Sequence, residues 1–407
     1  MTIRISHTRK HSKKSSPQQS FPYIRGYRIM KNIGEGAFSV VYLAEDLFLK
    51  RKIALKVMKS QTLSYSFEDR EAFEREVKIL TELNHPYIIE IYDYGESRGT
   101  YYIAMELAET DLNKLIKTKG RKIDSKILEY TFIQICRALA EAHKHKILHR
   151  DIKPSNILYT SKYIAKLADF SVAKLVSEEQ YTTYITQSTK SSPTLVGTPG
   201  YIAPEVVNNI TKYTQTHTLG KSRKYIEKTD IYTEKADIYS LGVTFYEAFT
   251  GTLPKHEYHS IRIFRRNIPK ILDETLKTML SPEPDDRPTA ERILKDLGLD
   301  PEILKDTSAH ELKYMIEAKK SEVKGLLLSK LQEIEDYLSQ VQSLATSDSS
   351  KIRRIERTVR KVERIIDDLF ETTQLTSKIE FPLNIFILDY LTYKQEVLKN
   401  ILKEGLS

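Results

Sequence analysis

The 407-residue chain is 40% hydrophobic and 29% charged, long enough for two or three units with a sizeable core, and it lacks an apolar run near the ~18 residues of a membrane span. Its single cysteine, Cys136, excludes an internal disulfide framework and a cysteine-rich zinc site. The formal net charge of +9 is local: residues 1–31 hold eight Lys or Arg and no Asp or Glu, and the rest carries 56 positive and 55 negative side chains, which argues against nucleic acid as its partner.

Residues 1–26, with Arg4, Arg9, Lys10, Lys13 and Lys14 set among Ser, Gln and Pro, read as a basic disordered tail. Such a tail is either simply solvated or touches an anionic partner. No apolar stretch follows the basic N-terminus, so neither a secretory signal nor a transmembrane segment is expected and the chain reads as cytoplasmic. From Tyr27, short Val-, Ile- and Tyr-rich runs predict strands, broken by Gly34-Glu35-Gly36-Ala37-Phe38-Ser39. A glycine pair between strands lets backbone N–H groups approach phosphate oxygens.

Ile53-Ala54-Leu55-Lys56-Val57 predicts a buried strand, and a lysine inside one needs a partner. Ser66 and Asp69 form a plausible cap for the following helix, whose inward face carries Phe73, Val77, Leu80 and Leu83. Glu76 falls on that face, so Lys56 and Glu76 explain one another as an ion pair, with Lys56 also reaching nucleotide phosphates. Tyr101–Leu107 is a further strand; helices are expected from about Leu112 to Ile116 and from Ser125 to Lys144.

Next comes His149-Arg150-Asp151-Ile152-Lys153-Pro154-Ser155-Asn156, with Asp169-Phe170-Ser171 downstream. A carboxylate, an ammonium and an amide in one short segment, with a second carboxylate beyond it, form the equipment of phosphoryl transfer from a metal-bound nucleotide. Asp151 would receive the proton of an attacking hydroxyl, Lys153 would neutralise charge on the transferred group, and Asn156 and Asp169 would hold metal. Tyr181 to Thr194 is dense in hydroxyls and suits phosphate switching opposite Arg150; a merely polar flexible loop is the alternative. Beyond residue 300, Leu327, Leu331, Ile334, Leu338 and Val341, then Ile352, Ile355, Val359, Val362, Ile366 and Leu369, form two heptad seams. They predict a small helical bundle packed on itself or on the preceding domain, with a dimerising coiled coil as the alternative.

In order, Gly34/Gly36, Lys56, Glu76, Asp151/Lys153/Asn156, Asp169, Glu205, Asp237 and Arg287 resemble the eukaryotic-type protein kinase superfamily over residues 27–297. Lys153 and Gly197-Thr198-Pro199-Gly200-Tyr201 resemble its serine/threonine branch. The resemblance implies a two-lobed α+β kinase fold: a small lobe over 27–107, a large lobe over 108–297 with an insertion at about 207–235, and a C-terminal all-α extension over 300–407. It implies ATP and Mg²⁺, with Ile33, Gly34, Gly36, Val41, Ala54, Lys56, Met105 and the backbones of Glu106 and Ala108 around the nucleotide and Met105 as the gate. It places Asp237 on a buried helix beneath the catalytic loop and pairs Arg287 with Glu205. Protein substrates carrying Ser or Thr are the implied partners, with self-association or a regulatory partner through 300–407. Two departures stand out, Ser39 for the third glycine of the phosphate loop and Ser171 for the glycine after Asp-Phe. A kinase-shaped scaffold acting through its C-terminal helices is the alternative function.

Overall fold

The computed structural model describes residues 21–36, 39–59, 77–78, 80–81, 83–160, 164–170, 198–209, 232–255 and 257–299, and positions 329, 332–334, 336–337, 361 and 364–365. Five strands, β1 (Tyr27–Glu35), β2 (Ser39–Asp46), β3 (Lys52–Met58), β4 (Ile91–Ser97) and β5 (Thr100–Met105), form an antiparallel sheet in the order β1-β2-β3-β5-β4. The near-continuous burial of β3 matches its apolar run, because this strand lies at the centre with β2 and β5 on either side. Arg98 and Gly99, both at positive φ (53° and 76°), make the tight turn from β4 to β5. At the β2–β3 turn the Asp46 carboxylate accepts from the N–H groups of Phe48 and Leu49, each at 3.0 Å.

Residues 21–26, assigned to the tail by composition, are instead packed on this sheet. Ile24 is 1% exposed in a cluster with Leu55 and Ala104. Arg25 N–H donates to Ser97 Oγ at 3.2 Å, and that hydroxyl donates to Tyr23 O at 3.2 Å. The boundary moves because Phe21, Tyr23 and Ile24 supply apolar surface that the lysine-rich residues before them lack.

The large lobe begins with β6 (Thr110–Asp111) and α1 (Leu112–Lys119), which runs one turn past its expected end. Next is α2 (Ser125–Lys144), at the bounds its periodicity predicts and capped by Asp124, whose side chain accepts from Lys126 N–H. β7 (Ile157–Tyr159) and β8 (Ala165–Leu167) join β6 in a small sheet ordered β6-β7-β8. The helices α3 (Glu234–Thr250), α4 (Lys270–Met279) and α5 (Ala290–Asp296) complete the described lobe. Helix α3 is buried on nearly all sides. Gly242 allows α4 to approach it, since a Cβ there would meet the Met279 Cβ at 3.0 Å. Two guanidiniums close its carbonyl end: Arg265 Nε donates to Phe249 O at 2.8 Å and Arg121 Nε to Thr250 O at 3.0 Å. Ile334, a seam position, and Ile365 are 0% and 5% exposed within the same core cluster as α2 and α3, so these parts of the extension pack on the large lobe. Among the described residues no helix is long and apolar enough to cross a membrane.

Two buried charges tie this lobe together. Arg287 uses all five of its donors: Nη1 and Nη2 reach the two Glu205 oxygens at 2.7 and 2.9 Å, and the rest go to the carbonyls of Lys235, Ser281 and Pro282. Asp237, 0% exposed on α3, accepts from the N–H groups of His149 and Arg150, both at 2.8 Å, and from His143 Nε2 at 3.0 Å. Arg150 is held at φ +65°, an unfavourable backbone angle for a residue with a Cβ that this carboxylate stabilises.

Replacing Asp237 by Asn turns an amide donor toward one of these N–H groups. Asp237→Asn should lower stability by about 1–3 kcal/mol in urea titrations. A second prediction concerns acid. Burial, reinforced by Arg137 and Lys166, pushes the His85 imidazole from 6.5 down to about 3. The unfolded chain therefore takes up a proton near pH 6.5 that the folded chain refuses, and stability falls as pH drops below that point. His85→Gln should remove about 2 kcal/mol of the stability loss between pH 6.5 and pH 5, read from paired urea titrations; equal losses in parent and variant would refute it.

Candidate active site

The loop after α2 puts three of the expected groups in contact. Lys153 Nζ lies 2.8 Å from Asp151 Oδ2. Asn156 Nδ2 donates to Asp151 O at 2.8 Å and to Asp151 Oδ2 at 3.2 Å. A short turn over Pro154–Asn156, with proline at its start, brings Asn156 back beneath Asp151. With its amide nitrogen so engaged, Asn156 keeps its oxygen available as a ligand. The orientation of Asp151 is further set by His149, whose Nδ1 accepts from Asp151 N–H at 3.2 Å. The other ring nitrogen, Nε2, therefore carries the proton and donates to Ala168 O at 2.9 Å. Burial lowers the pKa of His149 and keeps this tautomer neutral.

Ala168 links that loop to the second carboxylate. Its N–H donates to Asn156 O at 2.9 Å, and Asp169 follows at φ +64°. The ring of Phe170 then packs on His149 at a centroid distance of 4.6 Å. Across the cleft, Lys56 of β3 forms an ion pair with Asp169. The expected partner Glu76 lies outside the described residues, as do Ser171, the hydroxyl-rich run and most of the insertion.

Between the lobes, Ala54, Ile89, Met105 and Ala168 form an apolar cluster with Val41, Leu107 and Leu158 packed against it. Val41, Ala54 and Met105 were expected there, whereas Ile89, Leu107, Leu158 and Ala168 were not. Leu158 sits two residues beyond Asn156 and Ala168 immediately before Asp169, and those neighbours were the signal available for them. Ile33 is an exposed residue of β1 outside that cluster. Gly34 pairs with Val41, and Gly36 N–H closes the hairpin on Ser39 O at 2.8 Å; Ala37 and Phe38 are outside the described residues. A Cβ added at Gly34 or Gly36 would meet nothing nearer than 3.8 Å. The strands therefore leave open space above the cleft that a side chain would fill.

The segment after β5 is held from both sides. Glu106 N–H donates to Glu90 O at 2.9 Å, Glu109 N–H to Tyr159 O at 2.8 Å, and the Glu106 carboxylate meets Lys166 Nζ at 2.7 Å. Lys166 was not anticipated. No hydrogen bond involves the Glu106 carbonyl or the Ala108 backbone groups among the described residues. That arrangement suits the polar edge of a planar base. Asn156 and Asp169 each offer a hard oxygen that could ligate a cation. A small divalent cation is commonly bound through one or two protein oxygens and phosphates.

The "Protein kinase domain" family profile matches residues 27–297. The "Probable serine/threonine-protein kinase" of Clostridium acetobutylicum is 32% identical over 291 residues, 67% of this chain and 39% of its own length. "Serine/threonine-protein kinase PrkC" of Bacillus subtilis is 33% identical over 230 residues, 56% and 31% of the two lengths. The "Carbon catabolite-derepressing protein kinase" of Candida tropicalis is 34% identical over 182 residues, 45% and 28%. This chain thus spans between 28% and 39% of the length of these relatives. With the paired lobes, the cleft and this match, the chain belongs to the protein kinase domain family over residues 27–297.

Proposed function

We propose that this chain is a protein serine/threonine kinase that transfers the γ-phosphate of ATP to Ser or Thr hydroxyls of proteins, its own activation segment among them. The observation that carries this reading is the convergence of Asp151, Lys153 and Asn156 on one loop, linked through Ala168 to an Asp169 that faces Lys56. The relatives named as serine/threonine kinases support the choice of acceptor.

In this reading Val41, Ala54, Met105 and Leu158 enclose the adenine, and the Glu106 carbonyl and the Ala108 backbone bond its edge. Gly34 and Gly36 admit the phosphates, and Lys56 turns from Asp169 to meet them. Asp151 accepts the hydroxyl proton and aligns the oxygen for attack. Lys153, already beside Asp151, neutralises charge growing on the transferred group. Mg²⁺ held by Asn156, Asp169 and phosphate oxygens would offset the negative charge of the triphosphate. The scaffold alternative gives no reason for Lys56, Asp151, Asn156 and Asp169 to be present together.

Asp151→Asn should lower kcat for phosphorylation of a generic basic protein by about 10²–10⁴-fold, with nucleotide affinity within about twofold of the parent. The check is labelled-ATP transfer alongside equilibrium nucleotide binding, followed by phosphoamino-acid analysis of the labelled chain. Equal transfer by the variant, or label on tyrosine alone, would remove the reading.

A further inference from the structure

The large lobe carries a basic surface that the cleft chemistry does not use. Residues 112–123 contain five Lys or Arg and residues 258–272 four, with no Asp or Glu in either stretch. The fold puts the two stretches side by side. The Arg121 guanidinium stacks over Phe264 at 4.9 Å, Arg265 Nη1 donates to Ile123 O at 2.5 Å, and Ser125 Oγ donates to Asn267 Oδ1 at 3.4 Å. Arg121 and Arg265 are spent on the α3 carbonyls, and Arg265 is 8% exposed. Around them Lys119, Lys122, Arg262 and Arg266 are exposed and make no ion pair with any described residue.

Three carboxylates adjoining these stretches in sequence are already committed. Asp124 caps α2, Asp273 accepts from Tyr258, Ser260 and Ile261, and Glu274 pairs with Lys270 at 3.2 Å. Ile263, 71% exposed, lies between Arg262 and Arg266 in the chain and adds an apolar contact. Four cations that no described carboxylate neutralises, on a braced surface, attract a run of negative charge rather than a single ion.

We propose that this surface docks an acidic segment of the protein substrate, a proposal that rests on the kinase reading above. Helix α1 packs directly on the Pro154–Asn156 turn of the catalytic loop, so a segment held here shares a lobe with Asp151. A membrane or nucleic acid would also meet positive charge; the position beside the catalytic loop favours a substrate.

The probe is a short Ser-containing peptide joined by Gly-Ser linkers of several lengths to hexaglutamate, compared with the same peptide carrying hexaglutamine. With the full chain, the acidic tag should lower KM about tenfold with kcat unchanged. The quadruple variant Lys119→Glu, Lys122→Glu, Arg262→Glu, Arg266→Glu should lose that gain and keep the parent's KM and kcat for the untagged peptide. Fluorescence anisotropy of the tagged peptide without ATP reads docking alone. Binding without phosphorylation would sink the kinase reading and leave the docking surface standing. Equal KM for the two tags, or an undiminished gain in the variant, would overturn the docking surface alone. So would variant-sensitive binding to duplex DNA, or to phosphatidylcholine–phosphatidylserine vesicles at about 7:3, that is tighter than binding to the tagged peptide.

Discussion

A single carboxylate shut away from water, Asp237, governs the geometry of the cleft. It grips two consecutive N–H groups of the loop that carries Asp151 and forces Arg150 into a left-handed backbone angle. A buried charge is stable only if its lone pairs are used, and the loop supplies the donors that α3 lacks. Each therefore fixes the other. The burial of α3 and the closing of its carbonyl end by Arg121 and Arg265 make the anchor itself rigid.

From that anchor the order is relayed by backbone contacts. His149 accepts from Asp151 with one nitrogen and donates to Ala168 with the other, and Ala168 reaches Asn156. Asp151, Asn156 and Asp169 are thus registered through the His149 ring, the backbone of Ala168 and the packing of Phe170 on His149. The apolar cluster of Val41, Ala54, Met105, Leu158 and Ala168 draws residues from both lobes into one surface. Lys166 and Glu106 fasten the connecting segment to the large lobe beside it.

Polar residues in apolar surroundings were the most legible part of the sequence. Lys56 inside an apolar strand showed its need for a partner, though the sequence pointed to Glu76 and the structure pairs it with Asp169, while Asp237 and the Arg287–Glu205 pair were legible through the family resemblance. Helix α2 was equally readable, because Asp124 marks its start and the periodicity persists to Lys144. Residues whose role depends only on where the chain brings them were hidden. Leu158 and Ala168 look like any core residues, and β8 is three residues long, too short for alternation to mark Lys166 as inward-facing. Arg265, set among other Lys and Arg residues, carries no pattern that marks it as buried, and Ile24 was masked by the composition of the tail before it.

The Lys56–Asp169 ion pair has a thermodynamic corollary. Lys56 holds one oxygen of Asp169, so a cation drawn to that carboxylate and an anion drawn to that ammonium each weaken the pair. Either event removes the competitor that opposes the other, so the two ligands share one opening cost and each strengthens the other's hold by the same factor. On the proposed reading, that coupling would favour metal and nucleotide arriving together over either alone.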